Sequence, residues 1–259
     1  MKKATGKTRP GDAVLISVRE ADVAPIGSVG PWALAFLPFR GSGYHALMPL
    51  SVDVKPGTYQ LSLSVGTGRD KTMLAGALDV APHSFRQDTL TVSKRFTSPS
   101  KTERLRAARD AKAFERAFDV GFEKWRFRQN FDWPVPPVVT ALFGDRRMFN
   151  GKQKGQHFGV DLDGATGSPV RAANSGQVVL VRNCFAEGKS VLVHHGGRLF
   201  TAYFHMSKIE VVQGAKVSRG QRLGRVGKTG RVTGPHLHFG VKVDGTWVDP
   251  ESLLKLDFT

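Results

Sequence analysis

The chain alternates apolar and polar positions with period two almost throughout, interrupted by one stretch of helical period. Between residues 11 and 95, the short apolar runs AVLISVRE, WALAFLPF, ALMPLSVDV, KPGTYQLSLSVG, TMLAGALDV and QDTLTVSKRF are punctuated by Pro-Gly and Gly-rich turn formers. Strands of that length and spacing predict an antiparallel β-sandwich. In SPSKTERLRAARDAKAFERAFDVGFEKW the period changes. Leu105, Ala108, Ala111 or Lys112, and Phe118 recur at helical spacing with charges between them, and Ser98 or Ser100 can cap, which predicts a helix over roughly 100–118. The proline-broken RQNFDWPVPPVV then marks a boundary near residue 130. Strand signals resume in GQVVLVRN, SVLVHHGG, RLFTAYFHM and HLHFGVKVDGTWVDP. The expected organisation is mainly β: an amino-terminal antiparallel sandwich-like domain over 1–96, a helical linker over 97–130, and a second antiparallel β domain over 131–259.

Charge changes the picture more than composition does. The 259 residues are 40% hydrophobic, enough for buried cores, but the formal net charge is +16. Residues 1–130 hold 21 Lys/Arg against 12 Asp/Glu and residues 131–259 hold 17 against 10, so both halves are basic. Such a field attracts polyanions: nucleic acid, anionic lipid or acidic envelope polymers. Cys184 is the only cysteine, which excludes an intrachain disulfide and any cysteine-based zinc motif. No run approaches 18 apolar residues, and the opening MKKATGKTRPGDAV lacks an apolar core, so neither a spanning helix nor an intact signal peptide is expected.

The chemistry gathers in the second half. In TGPHLHFGV, strand alternation turns His236 and His238 to one face and Leu237 and Phe239 to the other. Upstream, QHFGVDLD places Asp161 four residues after His157. An extended chain would hold their Cα atoms roughly 13 Å apart, but Gly159 permits a bend that shortens the span. Together they offer His, Asp and His with an open fourth position, the pattern of a catalytic zinc. His205, in TAYFHM, adds a further imidazole. If three ligands hold a metal, two imidazoles remain for acid–base work on a water, which fits metal-assisted hydrolysis. His45 and His83 stand alone and read as surface or packing residues.

Residues 134–251 resemble the lysostaphin/LytM-type zinc metallopeptidases. The matching stretches are FGDRRMFNGKQKGQHFGVD, GSPVRAANSGQV, VLVHHGGRLFTAYFHM, VVQGAKVSRGQRLGRVGKTGRVTGPHLHFGV and WVDP, in the family's order and spacing. The resemblance implies that His157, Asp161 and His238 ligate Zn2+. It implies that His205 and His236 are the unligated pair that orient or deprotonate the attacking water and steady the tetrahedral species. It also implies cleavage of peptide cross-links or stems in bacterial peptidoglycan by a monomeric enzyme, periplasmic or secreted, on an antiparallel sheet. His194 and His195 then read as structural or groove-wall residues. Asn150 stands where latent relatives block the metal, or shapes a turn, and Tyr203 reads as core with a wet hydroxyl. The departure from the family is Gln153 and Lys154 where relatives carry Pro-Arg.

Two other function classes are weighed. A non-enzymatic envelope module that binds wall or activates a wall amidase would have lost ligands, and none is missing. Nucleic-acid binding draws on charge alone and has no stacking pattern or motif, so no specific nucleic-acid partner is expected. The basic excess instead favours anionic envelope polymers as partners beside peptidoglycan.

Overall fold

The structure is a computed structural model that describes residues 8–41, 43–151 and 153–259. The amino-terminal runs form two antiparallel sheets. In one, Tyr44–Pro49 is flanked by Ala13–Val18 and Leu37–Pro38; in the other, Gly57–Val65 and Thr72–Val80 form a hairpin paired over nine residues, extended by Ile26–Val29 and Trp32–Ala33. Period two does the work: Tyr59, Leu61 and Leu63 point inward from one long strand, Leu78 and Val80 from the other. They meet Val14 and Met48 from the facing sheet, giving the sandwich that alternation predicts.

The carboxy-terminal half is built on one eight-stranded antiparallel sheet. Its order runs Lys216–Val217, Gly176–Cys184, Gly188–His194, Leu199–Met206, His236–Val243, Val160–Asp163, Val139–Ala141, with Thr246–Val248 paired beside His236–Val243. One face, carrying Leu162, Val178, Tyr203, Leu237 and Phe239, belongs to the main core. The opposite face carries the histidines and the helix.

That helix is Lys101–Phe118. Ser100 caps it: its hydroxyl accepts from the Glu103 N–H at 3.3 Å while the Glu103 carboxylate accepts from the Ser100 N–H at 2.9 Å, a capping box. Of the positions that recur at helical spacing, Phe118 packs on Phe200 and Trp247. Leu105 is exposed, and Ala113 and Ala117 are buried against Leu180, Leu192, Ala202 and Phe204, because two alanines let the helix lie close to the sheet. Buried Asp110 pins it further, accepting from Arg182 Nε at 2.6 Å and from the Phe185 N–H at 2.7 Å.

Residues 119–138 hold no strand or helix, yet Phe127, Phe131 and Val135 fill the main core together with Ala13 and Phe39 from the amino-terminal half. Further ties cross between the halves. Arg9 pairs with Asp249 at 2.6 Å, the Ala13 N–H donates to Ser252 Oγ at 2.8 Å, and Gln87–Leu90 runs parallel to Arg146–Phe149. Arg146–Phe149 pairs on its other side with Gln153–Gln156; Lys154 is exposed there, and the Gln153 side chain lies outside the described residues. Among the described residues no helix is long and apolar enough to cross a membrane.

Candidate metal centre

Neighbouring strands bring Asp161 and His238 together. In the antiparallel pair Val160–Asp163 with His236–Val243, Asp161 lies opposite His238 and Asp163 opposite His236. Directly opposed side chains on one face sit roughly 4.5–5.5 Å apart at Cβ, close enough to share an ion. His157 reaches them across the bend at Gly159. Gly159 also serves by clearance: a Cβ there would come within 2.5 Å of His238 Nε2.

Three donor atoms converge. His157 Nε2 lies 2.9 Å from Asp161 Oδ1 and 2.9 Å from His238 Nδ1, and His238 Nδ1 lies 3.0 Å from the same carboxylate oxygen. The other ring nitrogen of His157, Nδ1, faces the Leu142 carbonyl at 2.8 Å and so carries the proton, turning a lone pair at Nε2 toward the cluster. Lone pairs packed this closely repel unless a cation or protons lie among them, so the donor set fits a metal ion. Burial alone would raise the Asp161 carboxyl, but contacts with His157 and His238 hold it far below the usual carboxylate range. Burial pushes the His238 imidazole down to about 4, which keeps it neutral.

Two more imidazoles flank the cluster. His205 Nδ1 donates to the Thr229 carbonyl at 2.8 Å and His236 Nδ1 to the Gly234 carbonyl at 3.0 Å, leaving Nε2 of each available. Their rings lie 5.0 Å apart, and His236 Nε2 stands 3.7 Å from Asp161 Oδ1. His205 is not placed by simple alternation. Its φ of +64° coincides with a register shift in the pairing of Gly188–His194 with Leu199–Met206, a bulge that re-aims the side chain. Burial pushes His205 down to about 3, so it is neutral near pH 7.

One participant is absent from the sequence reading. Arg147 donates from Nη2 to Asp161 Oδ2 at 2.8 Å, occupying the carboxylate oxygen that faces away from the cluster. Nothing in the sequence singles it out beyond a basic residue two before Phe149. The remaining sequence candidates sit elsewhere. Asn150 turns away from the cluster and bonds the Val92 backbone twice at 2.9 Å and Thr97 Oγ1 at 3.3 Å. His195 is fully buried, between the Ser175 carbonyl and Thr201 Oγ1, both at 2.8 Å. His194 stacks on Phe200 at 4.8 Å. Tyr203 is core, but its hydroxyl is not wet: it is fully buried and bonded to the Ala173 N–H and to Thr201 at 2.9 Å.

Comparison with known proteins fits this arrangement. The profile of peptidase family M23 matches residues 155–250, the stretch that holds all five site residues. The catalytic domain of the prophage-encoded M23 protein EnpA from Enterococcus faecalis is 32% identical, with 47% of this chain covering 95% of that domain at a TM-score of 0.42. Residues 155–250 form a domain of peptidase family M23. Among M23 relatives, the peptidoglycan DD-endopeptidase ShyA of Vibrio cholerae is 43% identical over 122 residues, which are 47% of this chain and 26% of ShyA. The chain therefore spans only about a quarter of that relative's length. A peptidase M23 crystal structure from Pseudomonas aeruginosa, 24% identical, aligns over 96% of this chain and 95% of its own with a TM-score of 0.69, so the M23 domain and the amino-terminal sandwich occur together in that fold.

Proposed function

We propose that this chain, through its M23 domain, is a zinc-dependent endopeptidase that hydrolyses peptide cross-links or stems of bacterial peptidoglycan. The observation that carries the proposal is the convergence of His157 Nε2, Asp161 Oδ1 and His238 Nδ1 within 3.0 Å, flanked by two imidazoles that each keep a free Nε2. Those three atoms would hold the metal. Zinc bound there supplies Lewis acidity, polarising the scissile carbonyl and making water acidic enough to react near neutral pH.

The chain's own residues do the rest. Arg147 holds Asp161 Oδ2, which fixes the carboxylate so that Oδ1 alone faces the cluster. His205, neutral and with its Nδ1 proton committed to Thr229, accepts the proton of the attacking water at Nε2 and later returns it to the leaving amine. His236 is the more open of the pair, and its free Nε2 accepts a hydrogen bond from the attacking water and orients it. Since peptidoglycan lies outside the cytoplasmic membrane, the protein acts in the periplasm or outside the cell.

Isolated wall sacculi provide the test. Zinc-loaded protein is expected to release muropeptides, chelated protein to release none, and added zinc to restore release. His157→Ala, Asp161→Ala and His238→Ala are expected to lose bound zinc and activity together. His236→Ala is expected to keep its zinc and lose turnover by about 10²–10⁴-fold. Full activity in metal-free protein would sink the proposal, as would sacculi that are bound but never cut.

A further inference from the structure

Near the proposed metal centre, one guanidinium has no ion pair among the described residues. Arg147 and Phe149 lie two residues apart on Arg146–Phe149 and so face the same side of that strand. Arg147 ends on Asp161, whereas Phe149 carries the guanidinium of Arg231, 4.2 Å from its ring centroid. Arg231 thus sits over the side chain next to Arg147 on the same face of that strand.

Its loop is fixed. The Arg231 N–H donates to the Ala186 carbonyl at 2.7 Å, and two residues earlier Thr229 accepts from His205 through its carbonyl and from the Lys189 N–H through its hydroxyl at 2.9 Å. The Arg231 side chain is half-buried, yet among the described residues it has no hydrogen bond and no ion pair, only the ring beneath it. Burial disfavours its charge, Glu187 favours it from beyond ion-pair distance, and Arg147 disfavours it again. A guanidinium is a planar fork of five donors, suited to gripping a carboxylate by two of them while stacked on an aromatic face. Arg231 is seated on a ring with its donors still open to solvent and without a protein acceptor among the described residues, so its fork is free to take an anion.

We propose that Arg231, seated over Phe149, is a subsite for a carboxylate of the bound peptide and sets a preference of this site for acidic peptides. The inference rests on the peptidase reading above. The carboxylate is either the α-carboxylate at a stem's C-terminus or an acidic side chain, and the two are separable by selective amidation.

The experiment measures capture apart from turnover. Peptidoglycan-derived stem-peptide dimers are prepared with all carboxyls free, with the terminal carboxyl amidated, or with the side-chain carboxyls amidated. Binding to the zinc-loaded full chain carrying His236→Ala is read by calorimetry. Amidation of one class is expected to weaken binding tenfold or more, and that class names the carboxylate that is gripped. Adding Arg231→Gln is expected to abolish the difference between the peptides. Arg231→Lys, which keeps the charge without the fork, is expected to retain part of it and guards against a folding defect in the Gln variant. Equal affinity for all three peptides, no binding of any, or undiminished discrimination in both variants overturns the subsite. Discrimination by the unmodified chain without any hydrolysis overturns the peptidase reading and leaves the subsite standing.

Discussion

Asp161 divides its two oxygens between partners: Oδ1 meets the imidazoles and Oδ2 meets Arg147. Removing the outer partner should loosen the inner one. Arg147→Met is expected to fold and to weaken zinc binding by about 10–100-fold, the usual cost of losing a group that orients a ligand, as read by competition with a chromogenic chelator. Unchanged affinity would show that the carboxylate needs no such support. His195 gives a prediction of a different kind. Burial pushes its imidazole down to about 3, and its two nitrogens are already engaged by Ser175 and Thr201. The folded-state value lies below the ordinary 6.5, so between pH 6.5 and 3 the unfolded chain binds a proton that the folded chain refuses. Stability therefore falls as pH falls through that window, with at most about 1.4 kcal/mol per pH unit coming from this group. Melting temperatures between pH 7 and pH 4 should fall less steeply in His195→Gln than in the unchanged chain; parallel curves would remove His195 from the account.

At the level of elements, what the sequence reveals depends on how far the pairing reaches. Same-facing His236 and His238 follow from period two, and the helix follows from its spacing and its cap. The bulge that aims His205 does not follow, because it arises from a register shift between two strands that each read as regular. The inward aim of Arg147 is equally hidden, since Arg146–Phe149 is only four residues long and gains its direction from Gln87–Leu90, more than fifty positions earlier. Of the positions read at helical spacing, Phe118 docks but Leu105 is exposed, because the seam against the sheet runs through Ala113 and Ala117. Asn150 shows the same long reach: at φ +52° it ties the end of its strand to Val92 and Thr97. Asn150→Ala is expected to lose about 1–3 kcal/mol in urea unfolding, and Asn150→Gly about 1 kcal/mol less, because glycine accepts the left-handed backbone. Zinc affinity should be the same in both variants; a rise would mean that the asparagine obstructs the metal centre after all.

The two halves of the molecule share a core. Phe39 contacts Phe127 and Phe258, whose centroids lie 6.1 and 6.3 Å away, and Ala13 belongs to the same cluster. Segments so joined should unfold together. Trp32 reports on the amino-terminal sandwich, while Trp125, Trp133 and Trp247 pack against the main core. In a urea titration, fluorescence from a chain retaining only Trp32 should coincide with the far-UV transition of the whole protein. Two separated midpoints would mean that the halves fold as independent bodies.

Phe204 stacks on His238 with centroids 5.3 Å apart and the planes 4° from parallel, while Phe114 on the helix meets it in a T-shaped pair. A single ring thus stands between a surface helix and a proposed ligand, and thermodynamic reciprocity applies to whatever passes through it. Loosening the helix from its seat is expected to weaken the grip on the ion, and capture of the ion to slow amide exchange along the helix, the two effects being one coupling read from either end. The helix, which touches none of the proposed ligands, would then be a handle on the proposed metal centre.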